Sequence, residues 1–166
     1  TRFTGLLNLG LEEISLFDGR LGLRSGGHYR WSWYGTAARL ETLAISPTLN
    51  LRPLPGLNLS LGESFRLVRG RSPFAFDREE RLNRVDLNGN WHFEGLKGSF
   101  STAYDLEGGE FIPLELGLGY QLGISATSLE LGYDLNRGYL QKASLREALS
   151  GEGWSLSAST SYDFIK

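Results

Sequence analysis

Pro113-Leu-Glu-Leu-Gly-Leu-Gly-Tyr-Gln-Leu-Gly-Ile124 is the stretch that decides how this chain folds. Leu114, Leu116, Leu118, Tyr120, Leu122 and Ile124 occupy one set of alternate positions. Glu115, Gly117, Gly119, Gln121 and Gly123 occupy the other. A helix would scatter both sets around its circumference. A strand sends them to opposite faces. The same sorting continues outward. Leu129, Leu131, Tyr133 and Leu135 oppose Glu130, Gly132 and Asp134. At the far end, Trp154, Leu156, Ala158, Thr160, Tyr162 and Phe164 oppose four serines and Asp163.

Earlier runs follow the pattern with more noise. Val85, Leu87, Gly89, Trp91 and Phe93 oppose Arg84, Asp86, Asn88, Asn90, His92 and Glu94. Leu57, Leu59, Leu61, Phe65 and Leu67 share a face, with Glu63 as an intruder. Leu43, Ile45, Pro47, Leu49 and Leu51 share another. The amino-terminal third is weakest and reads as strands near 4–17 and 20–33 around an Asp18-Gly19 turn. Pro47 and the Gly26-Gly27 pair suggest bulges or edges there. Further turns are marked at Pro53–Gly56, Glu107–Gly109, Asn136–Gly138 and Ser150–Gly153, with a longer connection over about 70–80. The count is about ten antiparallel strands of roughly 9–14 residues, against about 5–6 for strands of soluble proteins and about 9–11 for tilted membrane strands.

The 166 residues suit one domain spanning 1–166. Gly is 22 of them and Pro only 5, so the glycines do not belong to a Pro-rich disordered segment. A net charge of -2 gives no pull toward nucleic acid. Of 17 basic residues only Lys97, Lys142 and Lys166 are lysine, whereas a solvated surface is normally richer in Lys. Arginine is the better cation for a crowded, partly dry interior. With no Cys there is neither a disulfide framework nor thiolate chemistry.

Alternation fits a soluble ligand-binding barrel as well as a membrane one. Strand length, the Ser, Gly, Glu, Gln and Asp on the polar face, and the aromatics favour lipid. In a strict up-and-down path, one rim collects Trp31, Trp33, Tyr104, Phe111, Tyr133, Tyr139, Tyr162 and Phe164, together with Tyr34, Phe74 and Phe76. The other rim holds Phe17, Trp91, Phe93 and Trp154. Aromatic girdles at strand ends are what a lipid interface selects. The fold expected is therefore all-β, an antiparallel up-and-down transmembrane β-barrel of about ten strands, alone or as part of a larger barrel. Its lumen would hold Arg84, Asp86, His92, Glu94, Glu115, Glu130 and Asp134, with Arg–carboxylate pairs between neighbouring strands. Plain packing of a plugged lumen weighs more than a selective pore. The long 70–80 connection falls on the rim where bacterial barrels have short turns, so either the count is off by one or this loop folds into the lumen.

Two stretches, Leu131-Gly-Tyr-Asp-Leu-Asn-Arg-Gly-Tyr-Leu-Gln-Lys-Ala-Ser-Leu145 and Gly153-Trp-Ser-Leu-Ser-Ala-Ser-Thr-Ser-Tyr-Asp-Phe164, resemble the end of the lipopolysaccharide-assembly outer-membrane barrels (LptD-like). Arg69-Gly-Arg-Ser-Pro-Phe-Ala-Phe-Asp77 is similar to a loop of the same family. The resemblance implies a transporter in the outer membrane that takes glycolipid from a periplasmic bridge and releases it sideways, with a plug protein in its lumen. Partners would then be membrane lipid, glycolipid and periplasmic or plug proteins. Family barrels are far longer and carry a β-jellyroll and cysteines that these residues lack. The chain is thus expected to be a portion of such a barrel or a small barrel with like strand chemistry. The alternatives are a small outer-membrane pore or structural barrel, and a soluble ligand-binding β-barrel.

No enzyme and no cofactor are expected. His92 with Asp86 or Glu94 could form a water-activating dyad like that of the ten-stranded outer-membrane proteases, but a hydrogen-bonded lumen histidine is the weightier reading. No Gly-x-Ser-x-Gly elbow occurs. Asp86-x-Asn88-x-Asn90 lacks the glycine and glutamate of a calcium loop. Two histidines and no cysteine make no metal pattern.

Overall fold

The computed structural model describes residues 2–77 and 79–164, less the side chain of Phe76, so the rim position expected for Phe76 lies outside the described residues, as does Lys166. Ten strands follow one another: β1 (Arg2–Leu16), β2 (Leu21–Tyr34), β3 (Arg39–Leu54), β4 (Leu57–Gly70), β5 (Leu82–Phe93), β6 (Leu96–Asp105), β7 (Glu110–Leu122), β8 (Ser125–Asp134), β9 (Tyr139–Gly151) and β10 (Trp154–Asp163). Each pairs antiparallel with the next in a single sheet. A 3-10 turn, Ala75–Asp77, lies in the β4–β5 connection. The strands run from 10 residues in β6 to 16 in β3. Ten residues extend about 33 Å. Tilted by ~45°, they rise through about 23 Å, close to the ~25 Å apolar band of an outer-membrane barrel.

The sheet is open. Among the described residues β1 pairs only with β2 and β10 only with β9, so the expected closure into a barrel is not present. The turns differ by rim. One rim carries the tight turns 55–56, 94–95, 123–124 and 152–153, plus 17–20. The other carries 35–38, 106–109, 135–138 and the 71–81 connection.

The register sorts the residues into two faces. One row reads Asn58, Asn90, Ser99, Gly117, Glu130, Ser144 and Ser161 across β4–β10. The adjacent row reads Leu57, Trp91, Gly98, Leu118, Leu129, Leu145 and Thr160. Buried strand side chains, such as Ser32, Tyr34, Leu40, Thr42, Ala44, Ala103 and Asp134, lie on the polar face. Large apolar side chains on the opposite face stay exposed, among them Leu9, Leu87, Leu118, Leu145 and Leu156. The accessible surface is 11847 Å². A compact soluble monomer of this mass exposes roughly 8,200 Å². The apolar face therefore has no cover within the described residues.

Glycine and aromatic residues interlock on that face. Gly5 lies opposite Trp31, Gly89 opposite Phe100, Gly98 opposite Trp91 and Gly151 opposite Trp154. In each pair the ring lies over the glycine, and a Cβ there would overlap it. The strand-face glycines that periodicity alone leaves unexplained are seats for flat aromatic rings.

Bulges correct the strict alternation. On β1 the extra residue falls at Glu12-Glu13, while Gly26 and Gly27 pair regularly. On β7 Ser101 pairs with Glu115 but Ala103 with Ile112, which flips parity beside Pro113. Phe111 thereby joins Tyr104 on the apolar face, their rings edge-to-face at 4.8 Å. On β9 Gln141 is the extra residue, and it has the opposite effect on Tyr139. Tyr139 pairs with Asp134 on the polar face, so it is not a lipid-facing girdle residue as expected; Leu140 takes the apolar place beside Tyr133. Pro47 sits inside β3, where the β3–β4 pairing skips from Ile45 to Thr48, because proline has no N–H to donate.

Candidate functional site

The polar face is the part of this molecule with chemistry on it, and its two halves differ in charge. On β1–β5 it carries Arg2, Arg24, Arg30, Arg52, Arg66 and Arg84 against Glu13 and Asp86. On β6–β10 it carries Asp105, Glu110, Glu115, Glu130, Asp134 and Asp163 against Lys97, Lys142 and Arg146.

The long β4–β5 connection neutralises part of the basic half. It folds onto the polar face and brings Asp77 to Arg2 Nη2 at 3.1 Å and to Arg30 Nη2 at 3.9 Å. The Tyr34 hydroxyl donates to the second Asp77 oxygen, and Arg30 also pairs with Glu79. Asp77 is buried and Tyr34 with it. The loop thus folds over the polar face of the sheet. Nothing in the periodicity pointed to Asp77, Arg2 or Arg30.

The seven expected lumen residues fall in different places. Arg84 Nε lies 2.9 Å from Asp86 Oδ1, and Ser64 donates to Asp86 Oδ2 at 3.0 Å. That ion pair runs along one strand, not between neighbours as expected, because residues two apart share a face. Glu115 and Glu130 line a shallow cavity of 510 Å³ with Asn88, Asn90, Ser101 and Lys142, floored by Gly117 and Gly132. Asp134 instead holds its turn, accepting from the backbone N–H groups of Asn136 and Arg137 at 2.9 Å each and from Gln141 at 3.2 Å.

Glu94 does not belong to the polar wall. It and Gly95 form the two-residue β5–β6 turn with φ of 43° and 87°, the conformation of a primed hairpin turn. His92 shares the polar face with Asp86 but stands six residues along the strand, about 20 Å away, and is exposed. Among the described residues His92 makes no ion pair or hydrogen bond with Asp86 or Glu94. Among the described residues, no three His, Cys, Asp or Glu side chains group closely enough to hold a metal ion.

Of the expected girdle, Trp31, Trp33, Tyr104, Phe111, Tyr133 and Tyr162 lie on the apolar face toward the long-turn rim. Phe164 follows β10 and meets Tyr162 edge-on at 4.6 Å. Trp91, Phe93 and Trp154 border the tight-turn rim.

No family model, curated protein or solved structure matches the chain. The geometry of the two faces is what a functional reading must rest on.

Proposed function

We propose that this chain forms the wall of an outer-membrane β-barrel, its apolar face toward lipid and its polar face toward a lumen, in an envelope that exports or assembles glycolipid. One observation carries the membrane part. The buried strand side chains lie on the polar face, and large apolar side chains of the other face stay exposed. A soluble barrel has the reverse arrangement.

Bare strand edges are not viable in lipid. In the membrane β1 and β10 therefore close on each other or on further strands. The glycolipid part rests on the resemblance of 131–145 and 153–164 to lipopolysaccharide-assembly barrels. Its partners are membrane lipid, glycolipid and plug or periplasmic proteins. A pore with structural duties is the second reading, supported by the open polar cavity around Glu115 and Glu130.

The test is refolding with and without micelles, followed by strand content and heat-modified gel mobility. Strand structure and a mobility shift that require detergent are expected. A chain that folds as a soluble monomer in plain buffer would sink the membrane reading.

A further inference from the structure

A second cavity on the polar face, of 390 Å³, lies in the basic half. Its floor is small: Gly26, Ala44, Ser46 and Ser64. His28, Arg66 and Arg84 stand around it, and no carboxylate lines it. Arg66 pairs across the sheet with Ala44 and Leu82, neither of which can neutralise it. Among the described residues it has neither an ion pair nor a hydrogen-bond partner, although it is partly buried. Arg84 is paired with Asp86, 2.9 Å from its Nε but outside hydrogen-bond geometry, which leaves its outer guanidinium nitrogens to the cavity. Elsewhere in this half the arginines Arg2 and Arg30 are answered by Asp77 and Glu79. Here Arg66 has no answering carboxylate among the described residues.

A half-buried guanidinium without an acceptor is costly, and its planar fork matches two oxygens of a phosphate. The imidazole of His28 adds a ring N–H, and Ser46 adds a hydroxyl. We infer that the cavity walled by His28, Arg66 and Arg84 on the polar face is a binding site for a phosphate monoester or like dianion. Its small floor leaves room for the group to reach Arg66 and Arg84 together. The phosphate comes either free in solution or on a lipid headgroup; the second source rests on the lipid-export reading above.

The chain folded in maltoside micelles is titrated calorimetrically with inorganic phosphate and with dihexanoyl phosphatidic acid below its micellar concentration. Dihexanoylglycerol is the uncharged control. Saturable one-site binding of both phosphates, and not of the control, is expected. Arg66→Gln should weaken it at least tenfold and Arg66→Lys less. Arg24→Gln, on the same face but outside the cavity, should change it less than twofold. Ser46→Phe, which fills the floor and keeps every charge, should abolish it.

Heat-modified mobility first establishes that each variant is folded. Tighter binding of phosphatidic acid by tenfold assigns the site to a headgroup, and equal binding to soluble phosphate. Absence of saturable binding, an equal loss in Arg24→Gln, or undiminished binding in Ser46→Phe each overturns the site. If the parent folds in plain buffer, the same titration there still reads the cavity, so failure of the membrane reading and failure of the site are separable.

Discussion

The sheet reads as two halves built on different terms. From β6 to β10 the polar face is acidic, and its carboxylates stand in an open groove or hold turns. From β1 to β5 the polar face is basic, and a loop from outside the sheet folds over it. Bulges interrupt the alternation in both. The acidic half is organised by neighbouring strands alone. The basic half needs a distant segment, Asp77 and Glu79, to satisfy Arg2 and Arg30. A strand pattern can be read residue by residue. A charge balance between a strand and a loop some 75 positions away cannot.

The largest expected effect tests the feature both halves share. Leu118→Arg places a charge at mid-strand on the apolar face. In lipid vesicles it should cost about 2–4 kcal/mol of folding stability, whereas Glu130→Gln on the polar face should change stability by less than about 0.5 kcal/mol. Urea titration of refolded protein in vesicles measures both. Equal stability of Leu118→Arg and the parent would show that this face does not meet lipid.

The loop latch belongs to the basic half. Asp77→Asn removes the charge that Arg2 and Arg30 share, with an expected loss of about 1–3 kcal/mol. The 71–81 segment should become the first site of protease cleavage. Asp134→Asn, which keeps an oxygen for the Asn136 and Arg137 N–H groups, should cost less and leave that cleavage unchanged. If both variants behave alike, the loop is not held by Asp77 and the contrast between the halves fails.

A third variant tests the ring seats. Gly98→Val must displace the Trp91 indole, at an expected ~1–3 kcal/mol from overpacking. Tryptophan emission should shift, because Trp91 leaves its seat. Gly10→Ala on β1, where a Cβ meets nothing, should leave emission unchanged. An unshifted spectrum in Gly98→Val would remove the seat from the account.

The smallest effect is a gain. Glu63 interrupts the apolar face between Leu61 and Phe65, opposite Val85. Glu63→Leu should stabilise the vesicle-bound protein by about 1 kcal/mol. Destabilisation would mean that Glu63 has a partner beyond this sheet.

Much of this architecture was legible beforehand. The strand positions, their number, the up-and-down order and the membership of most residues in one face or the other all follow from period-2 spacing and turn chemistry. Period-2 spacing puts Tyr104, Tyr133 and Tyr162 on the apolar face, where they lie, whereas Phe111 reaches it only through the β7 bulge. Glu94 was misplaced, because a Glu-Gly pair at the end of a run continues the alternation in letters while turning the backbone. Tyr139 was misplaced because nothing local marks Gln141 as a bulge; the extra residue exists only relative to β8. Of the polar candidates, all but Glu94 lie on the polar face. The expected strand-to-strand pairs gave way to Arg84 with Asp86 along one strand and to Arg2 and Arg30 with the loop.

The sequence by itself determined that this chain is a run of long antiparallel strands with one apolar and one polar side, because side-chain alternation is a property of the single strand. Tertiary structure decided where the bulges fall, which aromatics lie over which glycines, where the 71–81 loop rests, and which arginines keep no counter-charge. Each of those depends on atoms brought close by pairing across the sheet, and distance along the chain carries no information about them.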